Sequence, residues 1–560
     1  MNRPDALRTD PAADAVSAAL DALLAHAVAD LGLDPEDVRW KRNRLLELLG
    51  VTCYRATGPD GSGPGPCRPD SEGKAAPDGA GCVPDHASPH APDGLHTPDA
   101  LVDRLVRALA DADAGPVSGE GIFDEDGSRE AVSGGGRGDG GADGAAAALS
   151  DKVMGELSPS PSATARRFLI AERERNGMAA MRFLYDLCVA NGYVKRARLD
   201  ANPRFDSHGL TVTINLAKPE FKDMGKAAAG NAVSGGYPAC TICRENEGYG
   251  PRDKRTLRTV PVTLGGGRWF WQFSPYGYFR EHGICVNEEH TPMHVDRTTF
   301  GNLMDFVERF PGYFLGCNAA LPRIGGSVLA HDHYQGGGET MPMHRAGAAG
   351  AFALPGSSDA VVETLDWPGT AVRVVSGSRE AVEEISERIR GAWAEYDDAA
   401  RGIASHDRMG RPQSALSPSV VATGRGWEMS LILRNNAVSG EYPEGVFHAH
   451  PEYWAVKREP VGLIEAQGLF ILPGRLVGQL SRLAESLECG GDLPEGMGGF
   501  RPLWDELMES LDGDRDHDAV RAAIGEELGS VCRRILRDTA VFKDRSALEG
   551  FLEEAGLRRI

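Results

Sequence analysis

Apolar residues near the start of the chain recur at three- and four-residue steps, a spacing that predicts an amphipathic helix. The residues on this face are Leu20, Leu23, Leu24, Val28 and Leu31. Asp34 has the position of an N-cap, with Pro35 at the first helical position and Gly50 at the end of a second helix. Helical patterns return at about 150–200 and from 474 onward.

The middle of the chain has a different pattern, with short β-branched and aromatic runs between glycine-containing turns. Examples between residues 205 and 475 are LTVTINL, RTVPVTL, WFWQFSPYGYF and SLILRN. Such runs are typical of strands, whereas 297–309 and 378–397 favour helices. We therefore expect an α+β fold with a mixed or antiparallel sheet as its core.

Two stretches, 56–95 and 112–149, are dominated by Gly, Asp, Ala, Pro and Ser. They contain almost no large apolar residues, so they cannot offset the entropy that is lost on ordering. We expect both to be disordered insertions on either side of one short helix at 101–109. The Cys and His residues in or beside the first insertion fit no common metal-binding spacing, and we interpret them as bystanders.

Composition and charge argue against several classes of function. The formal net charge is −21 and no basic stripe is present, which argues against nucleic-acid binding. No apolar run approaches the ~18 residues of a membrane span. The first residues, MNRPDALRTDPAADAV, lack the apolar core of a secretory signal, and the ten cysteines lack the density of a disulfide scaffold. We expect a cytoplasmic protein without nucleic-acid or membrane partners.

The densest group of chemically useful residues is GGSVLAHDHYQGGG at 325–338. In an extended segment His331, His333 and Gln335 would point to the same side, because residues two apart share a face. Polar side chains between glycine clusters suit a phosphate site, since glycine lets the backbone approach a ligand closely. Neutral imidazole is available near neutral pH, so a histidine here could accept a nucleotidyl group and pass it on. The alternative is a solvated strand edge.

Cys240 and Cys243 form a CxxC pair, which by itself fits a metal site, a redox pair or chance. No second CxxC is present, so a zinc ion would need further ligands, for which His290 and His331 are the natural candidates. Two cysteines and two histidines would fill a tetrahedral zinc shell and leave no position for water. Such a site would be structural and would hold His331 rigid beside His333.

A second H-x-H, His448-Ala449-His450, precedes Lys457 and Arg458. Basic residues beside a histidine pair could bind phosphate or sugar, which makes Lys457 and Arg458 candidate substrate contacts. A solvated turn that leads into an apolar strand explains the same residues equally well.

Seven segments, in order along the chain, resemble the galactose-1-phosphate uridylyltransferases, also called UDP-glucose–hexose-1-phosphate uridylyltransferases, and in particular their second, bacterial type. The segments are RNRLLELLGV, TINLAKPE, CTICRENEGYG, FSPYGYFREHGIC, FPGYFLGCNAALPRIGGSVLAHDHYQGG, VGLIEAQGLFILPGRL and the late VFK. The resemblance covers nearly the whole chain except the two glycine-rich insertions. It implies a sheet core of the histidine-triad kind, because the family belongs to that superfamily.

The resemblance also implies roles for individual residues. The middle histidine of the triad motif, here His333, is the nucleophile, and the following glutamine, here Gln335, holds the phosphate. Backbone N–H groups around Gly326 and Ser327 would bind phosphate oxygens, and Asn318 would contact the nucleotide.

A structural zinc is implied as well. In the first, better-understood type its ligands are a CxxC pair, a later histidine and the first histidine of the triad motif. These positions match Cys240, Cys243, His290 and His331. The chain departs from the first type at Asp332, where that type has proline. A second metal site of the first type uses an H-x-H similar to His448 and His450, but its other ligands cannot be placed here, so we assign no metal to this pair.

The implied reaction is a ping-pong exchange of UMP between UDP-glucose and galactose 1-phosphate. Glucose 1-phosphate and UDP-galactose are the products, and a uridylyl-histidine is the intermediate. Two alternatives stay open: another histidine-triad enzyme, namely a nucleotide hydrolase or adenylyltransferase, and a zinc-stabilised binding protein without catalysis. The state of assembly is left open, with a homodimer among the options.

The patterns divide the chain into six segments. These are N-terminal helices (1–55), insertions around one short helix (56–150), helices (151–204), a first catalytic half with the nucleophile and zinc ligands (205–355), a substrate-binding second half (356–475) and a C-terminal helical region (476–560).

Overall fold

A computed structural model describes residues 11–51, 54, 97–111, 141–216, 236–325, 328–357, 359–511, 513 and 515–560. The predicted insertion at 56–95 lies outside the described residues, and so does 112–140, the greater part of the second insertion. Within the described ranges, no helix is both long enough and apolar enough to cross a membrane.

Helices dominate both ends of the chain and strands dominate its middle. The helices are α1 (Pro11–His26), α2 (Val38–Leu49), α3 (Pro98–Asp111), α4 (Gly141–Leu157), α5 (Pro161–Glu174), α6 (Gly177–Ala190), α7 (Arg196–Asp200), α8 (Arg297–Arg309), α9 (Arg379–Ala394), α10 (Leu463–Ala466), α11 (Arg475–Glu488), α12 (Arg501–Ser510), α13 (His517–Asp538) and α14 (Arg545–Glu554). The strands are β1 (Arg204–Ser207), β2 (Leu210–Asn215), β3 (Val260–Leu264), β4 (Gly267–Phe273), β5 (Gly283–Asn287), β6 (Phe314–Gly316), β7 (His333–Gly337), β8 (Ala348–Ala353), β9 (Ala360–Leu365), β10 (Ala371–Ser376), β11 (Ser414–Thr423), β12 (Gly426–Asn435), β13 (Leu469–Pro473) and β14 (Arg558–Arg559).

The N-terminal helices follow the predicted pattern. The Asp34 side chain accepts a hydrogen bond from the Glu36 backbone N–H and caps the short turn that leads into α2. Helix α2 ends at Gly50, which has φ +65°. The predicted apolar face of α1 packs inward, with Leu20 and Leu23 fully buried in a cluster shared with α2, α3 and α4. The helix predicted at 101–109 is confirmed as part of α3.

The prediction of disorder as far as residue 149 was wrong for its last part, because 141–149 belongs to helix α4. Leu149, Val153, Met154 and Leu157 lie at helical spacing and are buried in the N-terminal apolar cluster. The alanine run at 145–148 has high helix propensity, which the neighbouring glycines obscured. Burial of the apolar face then stabilises the helix.

The main sheet has eleven strands in the order β14-β8-β9-β10-β12-β11-β6-β7-β5-β4-β3, and neighbouring strands pair antiparallel. The same order of five strands and one helix occurs twice in this sheet. The series β3, β4, β5, α8, β6, β7 is followed by the equivalent series β8, β9, β10, α9, β11, β12. In each half the strands lie in the order fourth, fifth, third, second, first. The halves join where β6 pairs with β11, with Gly316 opposite Ser419.

The two faces of the main sheet have different neighbours. On one face α8 and α9 pack into the largest apolar cluster, which includes Trp271, Phe306 and Ile385. On the other face a small sheet, β1-β2-β13, packs with α11, α12 and α13 against Leu365 and Ile432 of the second half. Strand β13 runs parallel to β2. The α+β fold is therefore confirmed, and the face of the first half is left next to a cavity.

Candidate active site and metal centre

His333 is the first residue of β7, inside the first half of the main sheet. It lies opposite Val286 of β5, and Gln335 lies opposite Ile284 of the same strand. Gly316 of β6 flanks Gln335 from the other side. Because β7 is paired along both edges, its backbone is fixed, and His333 and Gln335 project from one face two residues apart.

The His333 ring is oriented by one short contact. Its Nδ1 lies 2.7 Å from the carbonyl oxygen of His331, and because a carbonyl can only accept, Nδ1 carries the proton. Nε2 therefore keeps its lone pair. Burial lowers the pKa of His333 to about 4, so the ring is neutral at physiological pH. A neutral imidazole with an unprotonated Nε2 is the form that a nucleophile requires.

His333 and Gln335 border a cavity of about 550 Å³, which is within the usual range for small-molecule sites. Asn318 also lines this cavity, from the start of the connection between β6 and β7. Its Oδ1 accepts a hydrogen bond of 2.8 Å from the Leu463 backbone N–H. Asn318 therefore ties the β6–β7 connection to helix α10 at the rim of the cavity.

Glycine is required where the β6–β7 connection meets the segment before α10. Gly325 has φ +79°, and a Cβ at this position would lie 2.3 Å from the Cα of Gly462. Only glycine lets the two backbones come this close. Gly326 and Ser327, the predicted phosphate contacts, lie outside the described residues.

The four predicted metal ligands lie together beside the cavity. Cys240 Sγ lies 3.2 Å from His331 Nδ1 and 3.3 Å from Cys243 Sγ, and Cys243 Sγ lies 3.2 Å from His290 Nδ1. All four ligand atoms fall within 4.8 Å of one another. A tetrahedral zinc ion would separate its sulfur and nitrogen ligands by about 3.5 Å, so the donor set fits zinc.

Neighbouring polar groups orient the metal ligands. His331 Nε2 lies 2.8 Å from the carbonyl oxygen of Asn287, so Nε2 carries the proton and Nδ1 faces the sulfur atoms. Asn246 Nδ2 donates to the carbonyl oxygens of Cys240 and Cys243, at 2.9 and 2.8 Å. The hydrogen bond from the Cys243 thiol lowers the pKa of Cys240 to about 7, which favours the thiolate that binds metal.

The expectation that His331, His333 and Gln335 share one strand face was wrong for His331. Strand β7 begins at His333, so His331 lies before the strand, and its ring turns to the cysteines instead of the cavity. Asp332, between the two histidines, is buried, and its carboxylate lies 3.8 Å from His294 Nδ1. Burial raises the pKa of Asp332 to about 6.

Lys457 and Arg458 are not among the described residues that line the cavity. Lys457 is buried, and its Nζ lies 2.7 Å from Glu465 Oε1, while Glu465 itself lines the cavity. Arg458 is exposed and lies 3.2 Å from Glu444, another lining residue. Each cation therefore pairs with a carboxylate of the cavity wall and does not line the cavity itself.

The two histidines of the second H-x-H have different neighbours. His448 lines the cavity, and its Nδ1 lies 3.1 Å from the carbonyl oxygen of Ala449. His450 stacks on Tyr442 with ring centroids 4.1 Å apart, and its Nδ1 lies 3.5 Å from Asp538 Oδ2. In the part of the chain that the structure describes, these histidines do not join a metal-binding cluster.

The sequence analysis did not identify several other polar residues of the cavity, among them Lys254, Gln272, His282 and Arg323. The last two fall within the FREHGIC and CNAALPR segments of the family resemblance, which could have drawn attention to them. Lys254 and Gln272 had no such signal, because one lies in an ordinary polar loop and the other alternates with the tryptophans of a buried strand.

Comparison with known proteins shows extended similarity. The chain is 58% identical over 542 residues to a galactose-1-phosphate uridylyltransferase of Bifidobacterium longum subsp. longum, covering 97% of this chain and 98% of the relative. It is 38% identical over 410 residues to that of Clostridium acetobutylicum, covering 71% and 81% of the two chains. It is 34% identical over 403 residues to that of Streptococcus salivarius, covering 70% and 81%. No protein-family model and no solved structure matches the chain. On the strength of these alignments, the chain belongs to the galactose-1-phosphate uridylyltransferase family.

Proposed function

We propose that the protein exchanges UMP between UDP-glucose and galactose 1-phosphate by a ping-pong reaction of galactose metabolism. The observation that carries the proposal is the neutral His333 ring, whose Nδ1 is held by the His331 carbonyl beside a cavity of about 550 Å³. Membership of a family whose relatives are named for this reaction supports it.

The histidine would carry the uridylyl group between two displacements. Nε2 of His333 attacks the α-phosphorus of UDP-glucose, a P–N bond forms, and the P–O bond to glucose 1-phosphate breaks. A phosphate oxygen of galactose 1-phosphate then attacks the same phosphorus, the P–N bond breaks, and UDP-galactose is released. The ring is positively charged in the adduct, so the hydrogen bond from Nδ1 to the His331 carbonyl becomes charge-assisted and stronger.

Gln335 would stabilise the charge on the transferred phosphate. It lies on the same strand face as His333, and its carboxamide can donate to a phosphate oxygen. Backbone N–H groups around Gly326 and Ser327 are proposed to donate to the other phosphate oxygens.

Asn318, Lys457 and Arg458 stay predicted substrate contacts. Asn318 is supported by its position on the cavity wall. For Lys457 the geometry favours an indirect role, because it forms an ion pair with Glu465 and leaves that carboxylate to face the cavity.

Zinc is the metal that the cluster would hold, with Cys240, Cys243, His290 and His331 as ligands. A shell filled by four protein ligands contributes folding free energy and takes no part in bond breaking. Its effect on the reaction would be positional, since His331 supplies the carbonyl that orients His333.

The wider organisation is proposed on the same grounds. The first half of the main sheet would be a histidine-triad unit, residues 205–355 the catalytic half, and residues 356–475 the substrate-binding half. We further propose that the protein acts in the cytoplasm.

The proposal is tested by His333→Gly supplied with free imidazole. The variant should lose uridylyl exchange, and imidazole that occupies the vacated space should form uridylyl-imidazole from UDP-glucose, detected by mass spectrometry. A nucleotide hydrolase would instead release UMP from UDP-glucose without an acceptor, in the unmodified enzyme. A binding protein without catalysis would show neither product.

A further inference from the structure

A second cavity, of about 380 Å³, lies where the small sheet meets the second half of the main sheet. Its charged and aromatic lining residues are Asp206 on β1, Arg345 before β8, Asp366 and Trp367 after β9, and Arg533 on α13. We call this cavity the Trp367 groove. It shares no lining residue with the cavity beside His333, so both can hold a ligand at the same time.

The two arginines of the groove form no ion pair among the described residues. Arg345 Nη1 donates to the Thr340 carbonyl oxygen at 3.0 Å, and Arg533 Nη1 donates to the His208 carbonyl oxygen at 3.3 Å. Each guanidinium has five N–H donors, so most of them remain available. Both side chains are exposed to solvent. Two such groups in one cavity suit a phosphate, whose oxygens accept several charge-assisted hydrogen bonds.

The backbone that carries Arg345 is held in place by a buried side chain. Arg373 donates to the carbonyl oxygens of His344 and Ala346, at 3.1 and 3.0 Å, on either side of Arg345. The segment is therefore fixed before any ligand arrives. A binding group on a fixed backbone loses less conformational freedom when it binds.

Two carboxylates of the groove can accept hydrogen bonds from hydroxyl groups. Within the described ranges the Asp366 side chain forms no hydrogen bond or ion pair, while its backbone N–H donates to the Gly347 carbonyl oxygen at 2.9 Å. Asp206 accepts one hydrogen bond, of 2.7 Å, from the Thr211 hydroxyl and has further lone pairs. Carboxylates repel a bare phosphate, so their position beside the arginines favours an anion that also carries hydroxyl groups.

Trp367 adds an aromatic ring to the same cavity. Its Nε1 donates to the Ala466 carbonyl oxygen at 3.2 Å, and a Cβ at Gly468 would lie 2.6 Å from the ring. These contacts fix the indole at the end of helix α10, whose Ile464 and Glu465 line the cavity beside His333. An indole face can pack against the C–H groups of a sugar ring and leave the sugar hydroxyls to polar neighbours.

We propose that the Trp367 groove is an accessory binding site for a sugar phosphate, with Arg345 and Arg533 on the phosphate and Asp366 on a ring hydroxyl. The cavity volume is in the usual range for small-molecule sites. The whole chain carries a net charge of −21, so an anion needs local donors of this kind. The site goes beyond the proposed function, which uses only the cavity beside His333.

Calorimetric titration with galactose 1-phosphate counts the molecules that bind per chain. The proposed function accounts for one molecule, and the Trp367 groove should add a second. Arg345→Met and Arg533→Met should each weaken binding at this second site about tenfold to one-hundredfold, because each removes charge-assisted hydrogen bonds. Arg537→Met is the matched control and should change neither site. Arg537 is exposed, lies one turn further along α13 and does not line the groove.

Inorganic phosphate, as a second probe, tests the contact to the sugar. Asp366→Ala removes a negative charge together with a hydroxyl acceptor. It should therefore weaken galactose 1-phosphate at the groove about tenfold and leave inorganic phosphate bound at least as tightly. An unmodified groove that binds both probes equally, or a variant that shifts both equally, would exclude the sugar contact.

The site itself is overturned if the unmodified protein and both arginine variants bind the same number of galactose 1-phosphate molecules with the same affinities. Failure of the proposed function has a different signature. The cavity beside His333 would then bind no galactose 1-phosphate, the unmodified protein would bind one molecule, and the arginine variants would weaken that single site. The Trp367 groove would stand in that case.

Discussion

The two halves of the main sheet share their strand order but use the face opposite α8 and α9 differently. In the second half, Arg373 Nη2 lies 2.8 Å from Glu363 Oε2, and Arg373 Nε lies 3.4 Å from Glu428 Oε2. All three side chains are buried. In the first half the equivalent face carries His333 and Gln335 and borders the cavity. The face of the second half is therefore occupied by ion pairs within the protein. The face of the first half presents His333 and Gln335, which can act on a ligand.

The halves also differ in the connection between their last two strands. Strands β11 and β12 are joined by 424–425 alone, with Thr423 opposite Gly426. Strands β6 and β7 are joined by 317–332, which supplies the metal-ligand candidate His331 and the cavity residue Asn318. A tight hairpin leaves no residues for such roles. The shared topology therefore provides a scaffold, and the candidate chemistry comes from one long connection and one open face.

The largest expected effect is at the nucleophile. His333→Asn should lower kcat by about four orders of magnitude or more, because no neighbouring group can form the same labile P–N bond. Steady-state kinetics of uridylyl exchange measures it. His406→Asn, at an exposed position in the second half, is the control and should keep full activity. Full activity of a folded His333→Asn protein would exclude the mechanism.

Loss of the metal should lower the stability of the fold more than it lowers the rate of the chemical step. Cys240→Ser should lower the unfolding temperature by about 10 °C or more and reduce bound zinc, because a filled ligand shell contributes folding free energy. Calorimetry and elemental analysis measure the two quantities. Cys489→Ser is the control, since Cys489 is exposed and outside the cluster. Variants that remain fully stable yet lose turnover would mean that the metal is catalytic.

The ion pairs on this face of the second half should contribute to stability and not to catalysis. Arg373→Met leaves buried Glu363 and Glu428 with only the exposed Arg425 as a shared partner. It should cost about 3 kcal/mol of unfolding free energy, the lower end of the range for breaking a buried ion pair, because Arg425 still contacts both carboxylates. Denaturant titration measures this cost, and kcat of the folded fraction should stay unchanged. Adding Glu363→Leu and Glu428→Leu should recover part of the stability. A selective loss of kcat would show that both faces serve the reaction.

The smallest effect is expected for the insertions. Deletion of 56–95 or of 112–140 should change activity and unfolding temperature little, because neither composition can form a core. Extending the second deletion to residue 149 should destabilise the N-terminal helices, since it removes the first turns of α4 and buried Leu149. Circular dichroism melts of the two deletions separate these outcomes. Equal unfolding temperatures for the two deletions would show that residues 141–149 do not form a stabilising part of α4.

Helical periodicity and strand-like runs were sufficient to predict the helical ends, the strand-rich middle and helices α8 and α9. The metal-ligand candidates followed from spacing and resemblance, because few residue types bind zinc. The different directions of His331 and His333 could not be predicted, since they depend on where pairing with β5 and β6 begins. Lys254 and Gln272 were missed because only long-range contacts bring them to the cavity.

The most direct test is the mass of the protein after mixing with UDP-glucose alone. We expect one uridylyl group per chain, located on the peptide that contains His333 and absent from His333→Asn. Galactose 1-phosphate should remove this group and yield UDP-galactose. Exchange activity without any adduct, or an adduct on a residue other than His333, would contradict a covalent intermediate on His333.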